Sequence, residues 1–301
     1  MELKLVRSMW GAPTAIEAAL EQTVAAGFDG IEGPVPASSM ERRRLRGLLD
    51  ARGLGWIAEV TTGLWLGGPD DWWVPAPDLT VADHLEELRA GAEHAADLGA
   101  WFVTTMCGYD AWSLAQNVDF FGAALKIQDQ VGIPIHFETH RCRSLFNPWI
   151  TRDLLRHFPA MTITCDFSHW CVVAERLIDT EEEILRLCAE RAAHVHGRVG
   201  WAQGAQVPDP REPRFQRALE AHERWWSMVW EAQRRRGLAT STMNIEWGPD
   251  GYTPLLPYTE MPMVDRWEII RWMAARQRSR FADGTARRDN HDRRDGPVAA
   301  A

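Results

Sequence analysis

The sequence predicts a closed (β/α)₈ barrel. Short β-rich runs alternate with longer helical patterns eight times along the chain. The 301 residues suit one such barrel, which typically needs about 250. Metal-capable side chains stand at the ends of the last four strands, where a barrel collects its chemistry.

The elements follow in order. Leu3–Met9 is a first strand, and Thr14–Ala26 a helix stopped by Gly27. Gly30–Gly33 is a second strand, Ser38–Arg52 a helix with a serine at its start, and Trp56–Val60 a third strand. The Gly-, Pro- and Trp-rich stretch Thr61–Leu79 reads as a lid over an active site rather than a domain linker. Val81–Leu98 is helical, Trp101–Met106 a fourth strand, Ala111–Val131 a helix and Ile133–Thr139 a fifth strand. Helices at Thr151–Phe158, Glu181–Arg191 and Arg214–Arg236 separate strands at Met161–Asp166, Ala193–Arg198 and Thr240–Glu246. A last helix, Met263–Phe281, closes a single domain spanning residues 1–281, and 282–301 reads as a disordered Asp/Arg/Gly-rich tail. An open doubly wound sheet shows the same alternation, so the pattern alone leaves closure undecided.

Composition narrows the function. A hydrophobic fraction of 46% supplies a sizeable core, and a formal charge of −9 disfavours nucleic acid and anionic membrane surfaces as partners. Five cysteines without a CxxC spacing suit a reducing cytoplasm better than a disulfide framework. No signal peptide and no apolar run of membrane-spanning length is visible. No glycine-rich phosphate or dinucleotide loop follows any strand. Sixteen tryptophans admit two readings, packing or an aromatic-walled pocket.

The chemistry sits at four strand ends. The fifth ends His136-Phe137-Glu138-Thr139-His140, and the sixth Cys165-Asp166-Phe167-Ser168-His169. The seventh reads His194-Val195-His196-Gly197-Arg198, and the eighth ends Asn244-Ile245-Glu246-Trp247. Strand alternation puts His136, Glu138 and His140 on one side of the fifth strand and His194, His196 and Arg198 on one side of the seventh. Two Glu, one Asp and one His form a mixed O/N set for one divalent ion: manganese foremost, with cobalt, magnesium and zinc as alternatives. Converging carboxylates without a cation repel one another, and a metal resolves that conflict. His136 and His194 lie deeper and read as hydrogen-bonded core residues; His84, His94, His157 and His222 fall in helices and read as surface residues. Glu32 and Glu59 end the second and third strands, and either touches substrate or forms a salt bridge. Arg141 and Arg198 bind substrate oxygens or pair with acids, and both readings stay open.

On these residues the chain resembles the xylose isomerase-like TIM-barrel superfamily, in its sugar isomerase and epimerase branch, over about residues 3 to 281. The resemblance implies that Glu138, Asp166, His196 and Glu246 hold the metal and that His169 contacts the metal-bound water or the substrate. His194 competes for the seventh-strand position, and His196 is preferred because it lies nearer the strand's C-terminal end. The DNA-repair endonucleases of this fold carry extra histidine ligands and an Asp-x-His after the seventh strand, both absent here. Xylose isomerase itself carries a Glu-x-Lys ligand motif, also absent. Ketose 3-epimerases place a second Glu six residues after the first ligand, where this chain has Ser144.

Glu138-Thr139-His140 instead resembles the catalytic subunits of C-glycoside deglycosidases. That resemblance implies β-elimination from a 3-oxo-glycoside, with His140 or His169 moving the proton beside the metal carboxylates Glu138 and Glu246. It further implies a small β-rich partner subunit and an oligomeric enzyme. Trp149, Trp170, Trp201 and Trp247 are then expected to wall a flat aglycone. The alternatives are a sugar isomerase or epimerase on the same site, and a non-catalytic sugar-binding barrel subunit.

Overall fold

The structure, a computed structural model, describes residues 1–64, 76, 78–249 and 251–294, with side chains as far as residue 284. Most of the stretch read as a lid, including Trp72 and Trp73, lies outside the described residues.

Eight parallel strands close in sequence order: β1 (Glu2–Ser8), β2 (Gly30–Pro34), β3 (Gly55–Thr61), β4 (Val103–Met106), β5 (Ile135–Glu138), β6 (Ile163–Cys165), β7 (Ala192–His196) and β8 (Thr240–Ile245). The β1–β8 pairing, from Glu2 opposite Thr240 to Arg7 opposite Ile245, decides for closure over an open sheet. The helices are α1 (Ile16–Ala25), α2 (Ser39–Asp50), α3 (Val81–Leu98), α4 (Leu114–Val131), α5 (Pro148–His157), α6 (Ser168–Val173), α7 (Glu182–Arg191), α8 (Gln216–Arg235) and α9 (Arg266–Arg294).

Local chemistry sets several of these boundaries. Thr80 with Asp83, and Ser113 with Gln116, form reciprocal capping boxes that satisfy backbone donors at the starts of α3 and α4. Both helices end at a glycine in the left-handed region, Gly99 and Gly132. Asn147 accepts from the Ile150 N–H, and Pro148 occupies the first turn of α5, three residues earlier than the pattern predicts.

The main apolar core lies between strands and helices, with Trp170, Trp226 and Trp230 buried in it. A second, small cluster of Val6, Ile57 and Phe102 stands apart from it. The Phe102 ring packs 4.7 Å from the His136 ring and 5.3 Å from that of His194, joining this cluster to the polar layer.

Several expectations need correction. Helix α9 runs on to Arg294, past the expected end at Phe281, because Ala and Arg favour helix and Gly284 costs only about 1 kcal/mol; residues 295–301 of the tail read as disordered lie outside the described residues. The helix is fastened by buried Glu223 on α8, which accepts from Arg276 at 2.6 Å and Gln277 at 3.0 Å. Of the four helical histidines expected on the surface, His84 and His222 are fully buried. His84 Nδ1 lies 2.7 Å from Thr62 Oγ1. His222 Nδ1 donates to the Ala218 carbonyl, and its Nε2 accepts from the Gly200 N–H at 3.2 Å. The short helix α6, which carries His169, is not apparent in the periodicity because it is under two turns long.

Gly200 links packing to the site. A Cβ there would lie 2.5 Å from the Ser168 carbonyl oxygen, so only glycine lets this loop approach the start of α6. Gly200→Ala is expected to cost about 1–3 kcal/mol, read from the denaturant midpoint, as other overpacking substitutions do. It should also weaken whatever binds beside Ser168.

Candidate metal centre

The last four strands deliver three acids and a histidine, His196, at or just past their ends. Glu138 is the final residue of β5, while Asp166 and Glu246 follow β6 and β8 by one residue. His140 and Arg198 lie beyond the strands, so loop geometry rather than strand alternation aims them. Thr139 clips the first two acids together: its hydroxyl accepts from the Asp166 N–H at 2.8 Å and donates to the Asp166 carbonyl at 2.9 Å. Ser168 donates to Asp166 Oδ1 from its N–H at 3.0 Å and also from its hydroxyl. The sequence assigned neither Thr139 nor Ser168 this role, because a single hydroxyl beside an acid carries no spacing signal.

Glu138, Asp166, His196 and Glu246 place ligand atoms within 4.8 Å of one another. His196 Nδ1 lies 3.0 Å from Glu246 Oε2, 3.2 Å from Glu138 Oε1 and 3.9 Å from Asp166 Oδ2. These are close charge contacts; among the described residues, neither His196 nitrogen nor Glu246 Oε2 completes a hydrogen bond with good angles. Buried polar atoms without partners, in an O/N donor set of this kind, fit a divalent ion of the manganese, cobalt or magnesium type. His194 sits deeper, between Thr242 Oγ1 at 2.7 Å and Glu32 Oε2 at 2.9 Å, so His196 is the β7 residue that faces the three acids.

Charge sets the state of each group. Burial alone would lower the His196 pKa, but Glu32, Glu138 and Glu246 overcome it and hold the ring protonated well above its usual value. Burial pushes Glu138 up to about 7 against the opposing pull of His196. Arg198 Nη2 reaches Asp166 Oδ2 at 2.5 Å and Nη1 reaches Glu246 Oε1 at 3.3 Å, so this fully buried guanidinium pairs with two of the acids. The Tyr252 ring packs between Arg198, at 4.8 Å, and Arg141, at 4.9 Å.

The other two histidines at this mouth are neutral, each by burial first; Arg143 and Arg198 then lower His140, and competition with His140 for a proton, with Arg198, lowers His169. His140 Nδ1 donates to the Arg141 carbonyl at 2.6 Å, leaving Nε2 as a lone-pair acceptor. His169 Nε2 accepts from Arg198 at 2.6 Å, which puts its proton on Nδ1, a buried atom without a hydrogen bond among the described residues. The rings lie 3.8 Å apart between centroids. Glu138, His140 and His169 also gather within 4.8 Å, but the neighbouring guanidiniums disfavour a second cation there.

A cavity of about 700 Å³ opens over the cluster. His140, Arg198, Glu246 and Tyr252 line one side together with Trp10, whose ring meets that of Tyr252 at 4.9 Å; Met9, Val60, Leu64 and Met106 line the rest, with Glu59, Glu87 and His94 among them. Burial first, then the charges of Glu32 and Glu246, push Glu59 up to about 8. The four tryptophans expected to wall this cavity do not line it. Trp170 and Trp247 are core residues, the former donating to the Leu145 carbonyl at 3.0 Å. Trp149 is 38% exposed, beside Arg176. Trp201 packs on Phe215 and lines a separate cavity of about 260 Å³ with Arg141 and Tyr252. The reason is that a tryptophan near a strand end packs outward as readily as inward. Trp10 and Tyr252 take the aromatic role, from loops whose sequence carried no signal for it.

A family model described as Xylose isomerase-like TIM barrel matches residues 20–214. The chain belongs to this family. No curated protein matches the sequence. Among solved structures, 3-keto-D-glucoside 4-epimerase YcjR from E. coli is similar at a TM-score of 0.59 and 14% identity, over 92% of this chain and 100% of that one. D-allulose 3-epimerase from Methylomonas sp. is similar at 0.59 and 14%, over 93% and 97%. Endonuclease IV from Thermus thermophilus is similar at 0.56 and 15%, over 94% and 100%. At these identities the likeness establishes a shared fold. No helix among the described residues is long and apolar enough to cross a membrane.

Binding a metal through His196 Nδ1 requires that its proton leave, and Glu138 must also ionise. Affinity for Mn²⁺ is therefore expected to rise with pH between about 6 and 8, with about one to two protons released per ion. Calorimetry in buffers of different ionisation enthalpy measures this directly; an affinity flat across that range would contradict the protonation states described.

Proposed function

We propose that this chain is a divalent-metal-dependent enzyme that removes a proton next to the carbonyl of an oxidised sugar, with β-elimination from a 3-oxo-glycoside as the outcome. One observation carries the reading: a neutral imidazole, His140, with Nε2 uncommitted, lines the same cavity as Glu246, an acid of the metal cluster. A proton next to a carbonyl is poorly acidic in water. A divalent ion, when bound, supplies electrostatic stabilisation to negative charge developing on the neighbouring oxygens.

The chain's own residues do the rest. His140 Nε2 takes the proton from C2, and the electron pair passes into the adjacent 3-oxo group. His169, held in the Nδ1–H tautomer by Arg198 and fully buried, packs its ring 3.8 Å from that of His140 and keeps the base in place. The electron pair then forms the C1=C2 double bond as the bond from C1 to the aglycone breaks. The departing aglycone takes a proton from Glu59, which burial keeps as the carboxylic acid at neutral pH. Arg198 serves by fixing Asp166 and Glu246. Manganese as the ion, a small β-rich partner subunit and an oligomeric assembly belong to the same reading.

A second reading, sugar isomerase or epimerase, is favoured by Glu246, a cluster carboxylate that itself lines the cavity and could serve as the base. The similar folds of a keto-glucoside epimerase and an allulose epimerase support it.

Metal analysis followed by incubation with 3-oxo-glucosides and simple ketoses in deuterated water tests both. Aglycone release is the expected result; deuterium at C2 or C3 of an intact sugar selects the second reading. His140→Ala should keep its metal and lose about 10²–10⁴-fold in turnover. Normal activity in a metal-free Glu246→Gln variant would sink both and leave a barrel whose acids are dispensable.

A further inference from the structure

Glu32 is a buried carboxylate on β2, across the barrel from the four-residue cluster, and the resemblance gives it no role. Its two oxygens go to two rings of one strand, β7. Oε2 accepts from His194 Nε2 at 2.9 Å, and Oε1 lies 2.8 Å from His196 Nε2. The second contact has the length of a charge-assisted pair, although the N–H is not aimed along it. His194 is itself held, its Nδ1 2.7 Å from Thr242 Oγ1.

His196 thus stands between acids on both edges, Glu32 at Nε2 and Glu138 and Glu246 at Nδ1. A ring flip would put carbons, Cδ2 and Cε1, where the two nitrogens now lie and turn the ligating nitrogen away from the cluster. Glu32, His194 and His196 also lie within 4.8 Å of one another, which raises the alternative of a second ion held there. Against it, both Glu32 oxygens are already engaged, and all three side chains are almost completely buried.

We propose that Glu32 is a positioning residue: it anchors the His196 ring with Nε2 toward β2 and so presents Nδ1 to Glu138, Asp166 and Glu246. This rests on the reading of those four residues as a metal site. A carboxylate behind a ligating imidazole fixes its orientation and raises its basicity, and losing one typically costs 10–100-fold in metal affinity.

The test is titration of the metal-stripped protein with Mn²⁺ by calorimetry, for the natural sequence, Glu32→Gln and Glu32→Asp. The natural protein should bind one ion per chain. Glu32→Gln should bind it about 10–100-fold more weakly, and excess Mn²⁺ should restore its kcat, which a defect in packing alone would not allow. Glu32→Asp keeps the charge but draws it back by one methylene. It should show a smaller loss, and it stands in for Glu32→Gln if that variant does not fold. Unchanged affinity in the variants overturns the proposal. So do two ions in the natural protein and one in Glu32→Gln, which would make Glu32 a ligand. No binding by the natural protein removes the metal site itself, a failure readily told apart from the others.

Discussion

The structure turns on a crowding of buried carboxylates around a single imidazole. Glu32, Glu138, Asp166 and Glu246 all lie within 4 Å of His196. Oxygens of Glu138, Asp166 and Glu246 also lie within 4.8 Å of one another, and like charges about 4–5 Å apart repel by about 3–4 kcal/mol at an effective dielectric of 20, so no such group is tolerable without a cation. The chain supplies part of the answer: His196 itself in its protonated form, and Arg198, paired with Asp166 and Glu246. Thr139 and Ser168 supply hydrogen bonds that fix the acids without adding charge. These supports hold the cluster together but do not neutralise it, which is the physical argument for a dication.

That arrangement explains why three histidines in one mouth differ in state. His196 faces acids on both edges and stays charged; His140 and His169 face guanidiniums and stay neutral. The residue type is the same, and environment alone separates a ligand from a base and the ring that supports it. Arg198 takes part in all of it. It pairs with two acids, fixes the His169 tautomer, and is itself held under the Tyr252 ring.

Much of this was legible in the sequence, for a physical reason. A buried parallel strand is an apolar run, so Glu138, Asp166, His196 and Glu246 stand out against the residues before them, and each marks a strand end. Closure was not legible, because an open sheet carries the same alternation. Nor was the direction of the tryptophans, since a large aromatic near a strand end serves either the helix-facing core or the mouth, and tertiary packing decides. Glu32 was visible only as an ambiguous acid: its partner His194 lies 162 residues away in sequence. The buried state of His84 and His222 was missed because a polar side chain in a helix reads as exposed until its partner, Thr62 or Gly200, is known to lie beside it.

The cavity divides between the two halves of the barrel in a way that bears on which reaction follows proton removal. The charged wall comes from the loops after β5, β7 and β8, and the residues that place it are interlocked, so little in it could change without disturbing the rest. The rest of the lining comes chiefly from the β1–β4 side; it is largely apolar, with Glu59, Glu87 and His94 as its titratable groups, and it meets the charged wall where Trp10 packs on Tyr252. Proton abstraction next to a carbonyl needs only the charged wall. Whether the resulting enolate regains a proton or expels a group depends on what the rest of the lining holds and what it can protonate. The first half of the reaction is thus fixed by electrostatic necessity, while the second is left to residues more loosely joined to the cluster, Glu59 through charge alone. That separation is how one barrel can serve epimerisation, isomerisation and elimination without rebuilding its metal centre.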